Sequence, residues 1–135
     1  MNMVRKLLCA VVPALVAAVL LAPTAAKADY FTGHWHFVGG MGHVEAMNAI
    51  CVIAVNSHGA VAGQCTGPFG VAQAEGVTNG LNIVLRVHHV ATRPGGITGI
   101  ATFKGIWYRS GVIRGTYIDS PFPGGVGSFT AYPVH

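Results

Sequence analysis

The sequence predicts an all-β domain: a single antiparallel meander of eight strands curled into a small closed or nearly closed barrel, with a two-sheet β-sandwich as the rival arrangement. Three observations predict it. Beyond residue 28, apolar and polar residues alternate in short runs, and no stretch carries the spacing of a long amphipathic helix. Glycine is frequent, at 19 of 135 residues. Turn-forming clusters recur about every 8–12 residues, the interval at which a barrel or sandwich reverses its chain.

The segment before the strands reads as an address. Arg5 and Lys6 form a basic head, Leu7 to Leu21 are apolar apart from Pro13, and Ala26-Lys27-Ala28 presents small residues of the kind a signal peptidase accepts. This is the pattern of a secretory signal peptide over 1–28, with cleavage before Asp29 and a domain over 29–135. The apolar run falls short of the ~20 residues of a membrane-spanning helix. The expectation is a periplasmic or secreted protein with no membrane span after cleavage. Three of the eight Lys and Arg residues lie in this segment; the remaining five stand against four Asp and Glu, a net charge of +1. That balance gives no clustered basic face and argues against a nucleic-acid partner. A single short domain with one core is marginal, and such domains often carry a covalent staple.

The strands are expected at roughly 32–38, 49–56, 60–67, 69–78, 81–91, 97–108, 111–119 and 125–134. In the first, alternation sends Trp35 and Phe37 inward and His34 and His36 outward. Gly39 to Asn48 is the least patterned stretch; Met41, His43, Val44 and Met47 suit a short helical turn or lid. Asn56-Ser57-His58-Gly59 suits a tight hairpin with Gly59 in a left-handed conformation. A three-residue loop there sets Val55 against Val61, Ile53 against Gly63 and Cys51 against Cys65. Directly opposed cysteines in an exported protein form a disulfide.

Asn79-Gly80 is the strongest hairpin signal. A two-residue loop places Ile83, Leu85, Val87 and His89 opposite Gly76, Ala74, Ala72 and Gly70, large against small, with Gln73 opposite Arg86 on the outer face and Glu75 diagonal to it. Arg109-Ser110-Gly111 turns the chain again and sets Trp107 against Ile113, Gly105 against Gly115 and Phe103 against Tyr117, with Lys104 and Arg114 outside. The opposed glycines mark a bend of the kind that lets a sheet close. Asp119 to Gly125 is a loop, and the last strand follows.

Thr32-Gly33-His34-Trp35, followed by the hairpin Asn56 to Gly63, resembles the opening of an avidin-type barrel, and a Gly-x-Trp at the head of the first strand of such a meander is similar to the calycin group of lipocalins, avidins and bacterial metalloprotease inhibitors. Gly33-His34-Trp35, Cys51 and Cys65 follow the order found in the exported metalloprotease inhibitors, though the lead Asp29-Tyr30-Phe31 is shorter than the inhibitory arm of that family. The resemblance implies a small exported barrel that binds something. With only Trp35 and Trp107, the aromatic box of a biotin site is not there.

Candidate sites are few. His89, Phe103, Trp107 and Tyr117 share the inward face and form the candidate ligand-binding group at a barrel mouth or in its lumen; the plainer alternative is an edge histidine bound to a backbone carbonyl. His34 and His36, two apart on one strand face, form a candidate metal pair that needs a third donor from His43, Glu45, His88 or His89; the plainer alternative is two surface histidines. The four acidic residues are scattered, no Gly-x-Ser-x-Gly elbow is present, and the paired cysteines are poor nucleophiles. The expectation is a non-catalytic, cofactor-free protein that binds a small molecule through its mouth or loops. The alternative is a module that binds another protein, such as a protease or lysozyme inhibitor, through an apolar loop at Pro121-Phe122-Pro123.

Overall fold

Alternation along each strand gives the chain one apolar face, and a sheet with one apolar face must cover it. In the computed structural model, which describes residues 29–42, 46–68, 70–91, 94 and 96–135, the sheet covers it by closing on itself. Eight strands follow in order: β1 (Gly33–Gly40), β2 (Ala46–Val55), β3 (Ala60–Gly67), β4 (Gly70–Asn79), β5 (Asn82–His89), β6 (Gly99–Trp107), β7 (Ile113–Asp119) and β8 (Gly127–Pro133). Each pairs antiparallel with its sequence neighbour, and β8 returns to β1, with Phe37 opposite Ala131. The barrel is therefore closed, the sandwich is excluded, and no helix occurs among the described residues. Closure removes the free edges at which a sheet this short would recruit other chains.

Two of the three turn-derived registers hold as expected. Cys51 faces Cys65, with Ile53 on Gly63 and Val55 on Val61, and the sulfurs are bonded at 2.05 Å. Gly59 has φ of 82°, and the Asn56 side chain accepts from the amides of His58 and Ala60 at 2.9 Å each. Phe103 faces Tyr117, Gly105 faces Gly115 and Trp107 faces Ile113. A Cβ on Gly115 would stand 1.8 Å from the Lys104 carbonyl oxygen, so the close approach of β6 and β7 at this bend requires glycine.

The β4–β5 register differs from expectation by two residues. Asn79 pairs with Asn82, Gly76 with Leu85, Ala74 with Val87 and Gln73 with His88. Glu75 is directly opposite Arg86, not diagonal to it. The cause lies in the turn. Positive φ occurs at Gly80 (61°) and not at Asn79, so Gly80-Leu81 are the central pair, and positive φ at the first central position alone is the II′ pattern. The Leu81 carbonyl is then held by the Trp107 amide at 2.8 Å. A slip of two residues keeps every side chain on its face, and the core composition is unaffected. Between Gly39 and Asn48, Gly39 and Gly40 continue β1 and pair with Met47 and Ala46, replacing the expected helical turn there; His43 and Val44 lie outside the described residues.

The core is aromatic at its centre. Phe37, Phe103, Tyr117 and Phe129 form a connected set with ring centroids 4.9 to 5.6 Å apart. The Tyr117 ring lies across the backbone of Gly127, where an added Cβ would meet it at 2.3 Å. The two ends are built differently. At one, called the floor here, the hairpins after β2, β4 and β6 are tight, and the segment before β1 crosses the opening. Phe31 is buried there, the Trp35 indole donates to its carbonyl at 2.8 Å, and Tyr30 stacks on Trp107 at 4.2 Å. Asp29 holds this crossing by accepting from the Phe31 and Thr32 amides and from the Thr32 hydroxyl.

Candidate functional site

The opposite end stays open. The ends of β1, β3, β5 and β7 surround it with the starts of β2, β4, β6 and β8, and between them lies a cavity of about 360 Å³. That volume falls at the small end of the range for small-molecule sites. Its base is the centre of the barrel: Phe37, Phe103, Tyr117 and the Cys51–Cys65 disulfide. Val87, Ala72 and Ala101 form the wall, and Pro68, Val90, Ile97 and Phe122 form the rim. Small residues on β4 and β6 leave the space that large ones would have filled.

One polar pair stands in this apolar wall. His89 ends β5 and Asp119 ends β7, both on the inner face, with only β6 between them. The His89 Nε2 lies 2.9 and 3.0 Å from the two Asp119 carboxylate oxygens, and its Nδ1 lies 2.6 Å from the Ile97 carbonyl oxygen. Both ring nitrogens thus face acceptors. A ring protonated on both nitrogens donates to both, whereas a neutral ring donates to one. Asp119 is 4% exposed, the buried charged side chain among the described residues. Around it the mouth is tied by Ser120, whose amide donates to the Ile100 carbonyl while its hydroxyl accepts from the Ile100 amide. His89 therefore secures the β5–β6 connection to the body of the barrel through Ile97, and it does so from inside the mouth.

Of the four residues expected to form a ligand group, the structure brings three together. His89, Phe103 and Tyr117 line the cavity. Trp107 does not: it lies at the floor under Tyr30. Alternation identified its face correctly but not its end. Four residues of strand separate it from Phe103, about 13 Å. His89 is also not opposite Gly70; the β4–β5 register would set Ala72 across from it, the last pair being Gln73 with His88. Asp119 was not anticipated as a site residue, although the signal was available. The register that pairs Phe103 with Tyr117 also pairs Ala101 with Asp119 and so turns the carboxylate inward.

The histidine pair on β1 has a different setting. His34 is exposed, and His36 places Nε2 2.6 Å from the Asn48 side-chain oxygen on β2. Of the expected third donors, His88 is held 3.0 Å from Glu75 and His89 from Asp119, both on strands across the barrel from β1, while His43 and Glu45 lie outside the described residues. No group of three or more His, Cys, Asp or Glu side chains converges among the described residues. Phe122, in the loop expected to present an apolar anchor, is half-buried, packs against the core and lines the cavity rim.

Comparison of the chain with protein-family models, with curated proteins and with solved structures returned no match. The class defined by fold and site is accordingly an architectural one: a closed eight-strand antiparallel barrel, stapled between β2 and β3, shut at one end and hollow at the other. No helix among the described residues is long and apolar enough to cross a membrane.

Proposed function

We propose that this chain is an exported, calycin-like binding protein that takes a small apolar molecule into the mouth of its barrel and acts by binding, not by catalysis. The observation that carries the reading is the cavity of about 360 Å³ between an aromatic base and an apolar rim. Space of this kind in a small core forfeits packing energy, and a ligand that fills it regains that energy. The secretory pattern of residues 1–28 and the Cys51–Cys65 disulfide, which persists in oxidising compartments, support export to the periplasm or the medium. The inward position of Phe122 favours a ligand site over a protein-docking loop at Pro121 to Pro123.

The test is titration with N-phenyl-1-naphthylamine, a neutral apolar fluorophore that brightens on leaving water. Saturable enhancement with one probe per chain is expected. Ala72→Phe, which places a ring in the cavity from the β4 wall, abolishes it while the circular dichroism of the barrel is retained. Absence of saturation, or undiminished binding by a folded Ala72→Phe protein, would overturn the reading.

A further inference from the structure

We infer that the ligand of this mouth is an apolar, ring-sized molecule carrying one hydrogen-bond donor (an alcohol, a phenol or an amine) and not an organic anion such as a fatty acid. The inference rests on the binding reading above and adds the chemistry of the head group. Three observations carry it. The cavity is lined mainly by apolar atoms, so the ligand's bulk is apolar. Among the described residues the charged pair in the wall is His89 with Asp119, and both His89 nitrogens already face protein acceptors, the Asp119 carboxylate and the Ile97 carbonyl. His89 thus has no further N–H to offer a guest. Asp119 differs. A carboxylate accepts about four hydrogen bonds, and the contact with His89 engages both oxygens through a single ring nitrogen. The remaining acceptor capacity belongs to a side chain that is 4% exposed and lines the cavity.

Acceptors of this kind select donors. A guest hydroxyl or amine that reaches Asp119 makes a charge-assisted bond in a poorly solvated pocket. A guest carboxylate would be brought against the buried Asp119 carboxylate, and two carboxylates sharing one site disfavour each other's ionisation. A guest with no polar group would leave the Asp119 acceptors covered and unmatched, which is itself unfavourable. The ranking follows as donor first, hydrocarbon second, anion last.

Three probes of one shape separate these cases: 2-naphthol, 2-methylnaphthalene and 2-naphthoate, each titrated at neutral pH into the purified protein and followed by NMR chemical-shift changes. Naphthol is expected to bind about tenfold or more tightly than methylnaphthalene, the usual scale of a hydrogen bond to a charged group, and naphthoate is expected to bind weakest. In Asp119→Asn, which keeps the side-chain shape and removes the charge, the naphthol advantage falls to within about threefold and the naphthoate deficit narrows. The ranking on the natural chain needs no variant, so a misfolded Asp119→Asn protein does not weaken the test. Equal binding of naphthol and methylnaphthalene, or tightest binding of naphthoate, overturns the head-group inference and leaves the apolar cavity standing. Failure of all three to bind overturns the cavity reading and this inference with it.

Discussion

The two ends of the barrel solve opposite problems with the same strands. At the floor the chain reverses in tight turns after β2, β4 and β6, each with glycine at positive φ, namely Gly59, Gly80 and Gly111. The opening is then sealed by the segment Tyr30-Phe31 laid across it and fastened by Trp35 and Trp107. At the mouth the connections after β5 and β7 are longer, and the small wall residues Ala72 and Ala101 leave a cavity. One end is organised for stability and the other for occupancy. An eight-strand barrel leaves an interior just wide enough to be filled by side chains or to hold one small guest, and this one does each in half its length.

If the floor carries the stability, substitutions there must outweigh those at the mouth. The largest effect is expected for Trp35→Ala. The side chain is 4% exposed, and its indole supplies the hydrogen bond to the Phe31 carbonyl that holds the sealing segment. A loss of about 3–5 kcal/mol is expected from the cavity and the lost contacts, read as a fall in the midpoint of chemical denaturation. A loss below about 1 kcal/mol would show that the floor is not where the barrel is held. Next comes the double substitution of Cys51 and Cys65 by alanine. The disulfide spans 14 residues, and closing a loop of that size restricts the unfolded chain by about 3 kcal/mol. Because the bridge lies in the base of the cavity, the same variant is expected to weaken N-phenyl-1-naphthylamine binding. Unchanged binding would separate the staple from the site.

The same division governs what could be read from the sequence. The floor was legible because tight turns are local: Asn56 to Gly59 and Arg109 to Gly111 each fix a register through a glycine and a few neighbours, and the disulfide and the Phe103–Tyr117 pair follow from those registers. Asn79-Gly80 announced its turn correctly and its register wrongly. The choice of Gly80-Leu81 as the central pair goes with a bond from the Leu81 carbonyl to Trp107 on the next strand, which the dipeptide does not reveal. The mouth was harder. Its connections after β5 and β7 have no tight-turn signature, and His89 reaches Asp119 and Ile97 only once β5, β6 and β7 lie side by side. Alternation states which way a side chain points and not how far along the barrel it sits. Hence alternation groups Trp107 with Phe103, although Phe103 lies at the centre of the barrel and Trp107 at the floor.

The finest test of the division uses two half-buried aromatics, one at each end. Phe122 lies on the rim of the cavity and Tyr30 stacks on Trp107 at the floor; both pack against the core without being enclosed by it. Partial burial limits the hydrophobic loss, so Phe122→Ala and Tyr30→Ala are each expected to cost about 1 kcal/mol in denaturation experiments, with Tyr30→Ala at the higher side because a stacked pair is lost as well. Their effects on ligand binding must diverge. Removing Phe122 takes away part of the apolar rim that a guest would touch and admits water to the cavity, so N-phenyl-1-naphthylamine is expected to dissociate several-fold more readily. Removing Tyr30 alters a surface with no access to the guest, and the affinity is expected to stay within about twofold, since distant and unconnected sites act independently. Equal losses of affinity in the two variants would mean that the ends are coupled through the aromatic centre and that filling one half of the barrel depends on sealing the other.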